Sequence, residues 1–202
     1  MKLSFCDRLE LRPVNSTWYR AINPQYLERA LKTVHTRKIA TRFGPDGGSE
    51  EPFDVLYLAA NQTVAYYEVN ALFGPPTRPI ADPENSKYIV LDVRVVLQLV
   101  ADLTEPKQQS IVDISAQELT GKWDIYPPGE APTQRLGEAL FKTPGLEGFL
   151  VLSSKMANCK NLVIFPQKLS EGSIIEYDNT IVGPRKVHRI GRAKARSKQR
   201  AM

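Results

Sequence analysis

One acid stands alone in this chain. Between Asp54 and Arg78 the only acidic or basic side chain is Glu68, within the run Asn61 to Phe73. That run predicts a helix, with polar caps at Asn61 and Thr63, apolar residues on nearly every face, and Gly74-Pro75-Pro76 as a stop. A helix apolar on most sides is buried on most sides. Glu68 shares a stripe with Val64, Tyr67, Ala71 and Leu72, so its carboxylate is expected to face protein. An unpaired buried carboxylate costs several kcal/mol, so it must be neutralised, paired or held for use. Two readings stand side by side: a group held for chemistry, or a structural acid that caps an amide or pairs with an arginine.

Other polar residues recur at the ends of predicted elements, where sites are built. Arg20 follows Trp18-Tyr19, and Arg42 sits in Thr41-Arg42-Phe43-Gly44 before a loop. Tyr57 lies in Leu56-Tyr57-Leu58-Ala59, Ser153 and Ser154 close a strand, and Asn161 opens Leu162-Val163-Ile164-Phe165-Pro166. Taken singly each has an ordinary structural reading: a surface salt bridge for either arginine, a core ring for Tyr57, a turn residue for Ser153. Neither His35 nor His188 lies near a nucleophile elbow, so no Ser-His-Asp arrangement is supported. Two cysteines without close spacing, Cys6 and Cys159, argue against a disulfide framework, and with two isolated histidines they give no metal cluster.

The elements that must position these residues are short and mixed. Asn23-Pro24 predicts a helix start with Leu27, Leu31 and Val34 on one face. Ile39 to Phe43 reads as a short strand and 44–54 as a loop, followed by a buried strand over Phe53 to Ala59 leading into the Glu68 helix. Tyr88 to Val93 is a strong strand, and Val95 to Leu103 fits strand or helix. Ser115 and Glu118 have capping-box spacing, and Thr133 to Phe141 is a helix with Leu136 and Leu140 inward. Phe149 to Leu152, Leu162 to Phe165 and Ile174 to Tyr177 are further strands. Strands interrupted by helices without regular alternation predict an α+β or mixed α/β domain.

At 202 residues the chain is expected to form one domain. Its charge is unevenly spread. Residues 185–202 hold eight basic residues and no acid, leaving 19 basic against 22 acidic residues, a net of −3, over residues 1–184. We therefore expect a folded unit at 1–184 and a basic, disordered tail at 185–202. The tail has no interleaved aromatic residues to stack on bases, which argues against direct nucleic-acid binding. The N-terminus lacks a hydrophobic targeting segment and no apolar run reaches membrane-spanning length, so the expected location is the cytoplasm.

Taken in order, the segments resemble the RES domain family. They are Trp-Tyr-Arg20, Thr-Arg42-Phe-Gly, Leu-Tyr57-Leu-Ala, Thr63-Val-Ala-Tyr-Tyr-Glu68, Thr133-Gln-Arg-Leu-Gly137, Gly148-Phe-Leu-Val-Leu-Ser153-Ser and Asn161-Leu-Val-Ile-Phe-Pro166. The likeness spans about residues 18–178 and rests on the ordered set rather than on any one motif. It departs from the family pattern at Thr41, where glycine is usual, at Gly44, where asparagine is common, and at Leu152, where proline precedes the serine. The resemblance implies a compact fold similar to ADP-ribosyltransferases, with Arg42, Glu68 and Ser153 as catalytic residues. It further implies that Arg20, Arg42, Tyr57 and Ser153 bind NAD as substrate, with no metal.

The implied activity is that of the toxin of a toxin–antitoxin pair, cleaving the nicotinamide–ribose bond as a glycohydrolase or phosphorylase. ADP-ribosyl transfer to a protein is the alternative within enzymes, and a nucleic-acid-binding module acting through the tail is the alternative outside them. The implied partner is an antitoxin with a helix-turn-helix DNA-binding region, and a homo-oligomer stays open. The chemistry suits the residues. An arginine can clamp a pyrophosphate, and a carboxylate stabilises the positive charge that develops on the ribose. Nicotinamide is already a cationic leaving group, so no histidine acid is required.

Overall fold

A computed structural model of the chain describes residues 1–45, 51–83, 87–179 and 186–191. Residues 46–50 of the expected loop, with Arg185 and residues 192–202 of the expected tail, lie outside the described residues. The fold is a mixed α/β domain, the class expected. Nine strands are described: β1 (Leu11–Ile22), β2 (Leu56–Ala59), β3 (Leu72–Phe73), β4 (Ile80–Ala81), β5 (Ile89–Asp102), β6 (Gly148–Leu152), β7 (Lys160–Ile164), β8 (Ile174–Asn179) and β9 (Lys186–Gly191). The α-helices are α1 (Gln62–Glu68), α2 (Pro106–Val112), α3 (Ala116–Thr120) and α4 (Pro132–Lys142).

The two longest strands organise the sheet. β5 runs antiparallel to β1 along nearly its whole length, pairing Leu11 with Ala101 and Ile22 with Ile89. Its other edge takes β8 opposite Val93–Val96 and then β6, in parallel, opposite Val100–Asp102. The order runs β1-β2-β7-β6-β5-β8-β9, and the β1–β2 and β1–β5 pairings return it to its start. The Val95 to Leu103 segment is thus strand, because it continues β5. Pro13 stands where the β1–β5 register shifts, between Arg12 and Val14, a position that tolerates a residue with no N–H to give.

Strand periodicity divides the core. Leu162 and Ile164 of β7 enter one apolar cluster with Leu56, Leu58, Val93 and Trp18. Val163 and Phe165, offset by one, enter a second cluster with Phe149 and Val151, covered by Val112, Leu119, Leu136 and Leu140 of the helices. From Leu162 onward β7 is therefore buried on both faces, which explains the unbroken apolar run Leu162 to Phe165. The capping box at Ser115 and Glu118 and the inward Leu136 and Leu140 stand as expected.

Four expectations are corrected. Ile39 to Phe43 is a turn-containing segment, not a strand: its polar backbone groups are taken by side chains, as Phe43 N donates to Tyr57 Oη and Thr41 O accepts from Gln134 Nε2. The Asn23-Pro24 start opens a 3-10 helix, Pro24–Arg29, and Val34 beyond it is exposed. The Glu68 helix is shorter than the apolar run, because Asn70 takes a left-handed conformation (φ 55°). Ala71 N then bonds Tyr66 O and Asn70 N bonds Tyr67 O, a paired closure of the helix end, and Leu72–Phe73 turns away as β3. Finally, the basic segment does not begin as a disordered tail. Lys186–Gly191 is β9, paired with β8, where Glu176 binds both Arg94 and Arg189 and the His188 ring stacks on Tyr177.

Candidate active site

Glu68 is the last residue of α1, whose start is fixed by Asn61 Oδ1 accepting from Val64 N at 2.9 Å. Val64 and Ala65 pack on Ala21 and Ala59, which hold the helix against β1 and β2. The glutamate Oε1 accepts two hydrogen bonds of 2.7 Å, from Ser153 Oγ and from Asn161 Nδ2. Sheet register brings these donors together. Asn161 pairs with Ala59 on one side and Val151 on the other, and Ser153 lies two residues beyond Val151, on the same face. Ser153 is buried; its oxygen also accepts from Lys155 N and Met156 N at 3.2 Å, so the hydroxyl is held at both ends. Between the adjacent serines, Ser153 touches Glu68 while Ser154 lines the neighbouring cleft.

A second buried glutamate shows how a structural acid looks in this fold. Glu147 is fully buried, and both its oxygens are used: Oε2 accepts from Gln98 N and Leu99 N, Oε1 from Ser170 N and Ser170 Oγ. Burial pushes its pKa up, but the hydrogen bonds from Ser173, Ser170 and Leu99 outweigh burial and hold it below the ordinary carboxyl value. Glu68 differs. Both donors converge on one oxygen, and Oε2 accepts no hydrogen bond among the described residues.

Glu68 lines a cleft of two lobes, about 290 and 270 Å³, which share Thr41, Tyr57, Glu68 and Asn161. Arg20, with Tyr19 and the exposed His35, lines the first lobe; Arg42, with Trp123 and Lys155, lines the second. The arginines are partnered differently. Arg42 Nη1 donates to Leu119 O at 3.2 Å and Gly121 O at 2.7 Å. Burial lowers its pKa, against which Glu68, Tyr57 and Asp124 act. Among the described residues, Arg20 Nη1 donates only to Tyr57 O at 3.0 Å, its Nε is buried without a partner, and no acid pairs with it. Burial pulls its pKa down to about 10, so it remains a cation at neutral pH.

Tyr57 lines both lobes and ties down the Arg42 segment. Its hydroxyl donates to Thr41 Oγ1 and accepts from Phe43 N, both at 3.0 Å. Helix α4 closes on the same segment: Gln134 Nε2 donates to Thr41 O at 3.3 Å, and a Cβ at Gly137 would come within 2.1 Å of Phe43 O. The Thr133-Gln-Arg-Leu-Gly137 motif is thereby a mount for Arg42, and only glycine permits the approach.

The arrangement offers one half-free carboxylate between two arginines, with Lys155 on the second lobe, in a cleft assembled from β1, β2, α1, the β6 end and β7. A family model described as the RES domain matches residues 17–181. The chain belongs to the RES domain family. Among solved structures, this RES domain is similar to a chain in the crystal structure of the M. tuberculosis MbcT–MbcA toxin–antitoxin complex. The likeness covers 94% of this chain and 91% of that one, at 19% identity and a TM-score of 0.61, and it is a likeness of fold. A search of the curated proteins found no match.

The five residues to which the resemblance assigns a role (Arg20, Arg42, Tyr57, Glu68 and Ser153) meet within this one region of the RES domain. Sequence reasoning undervalued Asn161, which it counted among the polar residues at element ends but gave no role. The usable signal was period-two alternation: Asn161 is a polar residue on the face of Val163, next to the buried run Leu162 to Ile164. His35 arrives on a short 3-10 helix, Val34–Arg37, and Trp123 and Lys155 through irregular segments, for which no local pattern existed. Among the described residues no group of three or more His, Cys, Asp or Glu comes together as a metal site, and no helix is long and apolar enough to cross a membrane.

Proposed function

We propose that this RES domain consumes NAD, breaking the nicotinamide–ribose bond, as the toxin of a toxin–antitoxin pair. The observation that carries the reading is charge placement: Glu68, whose Oε2 accepts no hydrogen bond among the described residues, and Arg20, which has no acidic partner among them, line one lobe. NAD presents the complementary pattern, a cationic nicotinamide ring on a ribose and, one ribose away, an anionic pyrophosphate. Arg20, with Arg42 across the cleft, clamps the phosphates. Glu68 faces the ribose carbon, where positive charge grows as neutral nicotinamide departs. Ser153 and Asn161 hold the carboxylate, and Tyr57 shapes the wall between the lobes.

Water, phosphate or a protein side chain would take the ribosyl carbon, which gives glycohydrolase, phosphorylase or ADP-ribosyltransferase respectively. The M. tuberculosis neighbour is part of a toxin–antitoxin complex, which supports a cognate antitoxin for this chain. The family resemblance suggests that this antitoxin is a helix-turn-helix protein that covers the cleft. Cytoplasmic NAD is the expected substrate pool.

The test is incubation of purified protein with NAD, with and without phosphate, and identification of products, alongside Glu68→Gln. Free nicotinamide should accumulate with wild-type protein. It should fall at least about a hundredfold with Glu68→Gln, the loss expected when a charge contact to the transition state is removed. Folded wild-type protein that leaves NAD intact in all conditions, including with candidate acceptor proteins, would refute the proposal.

A further inference from the structure

The two donors to Glu68 are not equivalent. The Ser153 hydroxyl can rotate about one bond, whereas the Asn161 carboxamide is a rigid plane on a strand paired on both sides, to Ala59 and Val151. Its Nδ2 donates to Glu68 Oε1 at 2.7 Å, while its Oδ1 is buried with no hydrogen-bond partner among the described residues. Leaving an amide carbonyl unsatisfied carries a free-energy cost, and a smaller apolar residue at this strand position would avoid it. Turning the amide over would set Oδ1 against the carboxylate oxygen, so the donor stays committed to Glu68.

We propose that Asn161 is the positioning residue that aims the free oxygen of Glu68 into the cleft, and that its neutrality is required for this. The inference rests on the NAD-cleaving reading above and assigns a role to a residue outside the substrate clamp. The charged and titratable groups facing the pair are Arg20 and Tyr19 from β1, His35 and Arg42 from the segment before β2, Tyr57 from β2, and Lys155 from the β6–β7 turn. They are common to wild type and variants, so a difference between pH profiles isolates position 161.

The experiment measures kcat, KM and pH profile for wild type, Asn161→Ser and Asn161→Asp, with thermal melts to confirm folding. Asn161→Ser keeps a small polar residue but loses the reach to Oε1; kcat should drop about tenfold or more while KM stays within a few-fold. Asn161→Asp can still donate to Glu68 while the pair shares a proton, and repels it once both are ionised. Its activity should therefore be confined to the acid side and fall as pH rises, relative to wild type.

Serine-variant kinetics equal to wild type, or a loss confined to KM, would overturn the inference. So would an aspartate variant whose profile parallels wild type. If the aspartate variant does not fold, the kcat and KM of the serine variant decide. Wild-type protein inert toward NAD would overturn the functional reading and this inference together; active wild type with unaffected variants would overturn the inference alone.

Discussion

Tyr57 brackets Arg42: its hydroxyl is bonded to Thr41 on one side of the arginine and to Phe43 on the other. The buried phenol is pushed by burial up to about 12, against the hydrogen bonds of Thr41 and Phe43, so it works as a neutral group across the physiological range. Tyr57→Phe keeps the ring and removes both bonds. We expect about 1–3 kcal/mol lower stability from the amide and hydroxyl left unpaired. NAD affinity should also weaken as the Arg42 segment loosens. Denaturant melts and KM measure the two effects, and unchanged KM in a destabilised variant would separate Tyr57 from the arginine.

The two arginines should respond unequally. Arg42 already serves two backbone carbonyls, whereas Arg20 has no acidic partner among the described residues. Arg20→Ala should raise the dissociation constant for NAD by about tenfold or more, the cost of a charge-assisted contact. Arg20→Lys should recover little of it, since an ammonium lacks the planar fork. Arg42→Ala should weaken binding less per charge but also disturb the Leu119–Gly121 turn. Titration calorimetry with a non-hydrolysable NAD analogue ranks them; a larger effect at Arg42 would make it the principal clamp.

Glu147 sets an acid limit on stability. Its folded pKa is depressed, so its contribution is present above the unfolded carboxyl pKa and is lost as pH falls through the folded one. Glu147→Gln should cost about 1–3 kcal/mol at neutral pH, because one amide cannot accept all four bonds. The difference from wild type should shrink below about pH 4. Chemical melts at neutral and acid pH check this. A gap that widens in acid would mean that the carboxyl is protonated in the fold.

The basic segment should divide at Gly191. Deleting residues 192–202 should leave turnover within a few-fold of full length, with the largest difference at low ionic strength, since charge effects are screened beyond about 8 Å in physiological salt. Deleting from Lys186 removes β9, exposes the edge of β8 and strips Tyr177 of its stacked His188, and should lower the melting temperature. Equal melting temperatures for the two truncations would show β9 to be dispensable.

The legible parts of this RES domain were those written locally. Asn61, the apolar faces around Glu68 and the capping box at Ser115 each declare themselves within a few residues. β1 did not, because Pro13, Asn15, Ser16 and Thr17 interrupt its apolar pattern and its stability comes from β5, some eighty positions on in sequence. β9 hid behind its charges, which the sheet accommodates by pairing Arg189 with Glu176. Ile39 to Phe43 had strand-like composition but no strand partner, only side-chain anchors from Tyr57 and Gln134. The Glu68–Asn161 contact depends on register, and register is a property of strands already paired.

The donors that orient Glu68 stand 85 and 93 residues beyond it in the chain. Translation must therefore pass Ser153 and Asn161 before the carboxylate has its donors, and a product that stops short of Ser153 lacks both. Competence arrives only with closure of the sheet between β2, β7 and β6, after which it should persist or vanish with global folding rather than in stages. For a cell that makes this protein, the interval between translation and closure is time in which a binding partner can arrive first.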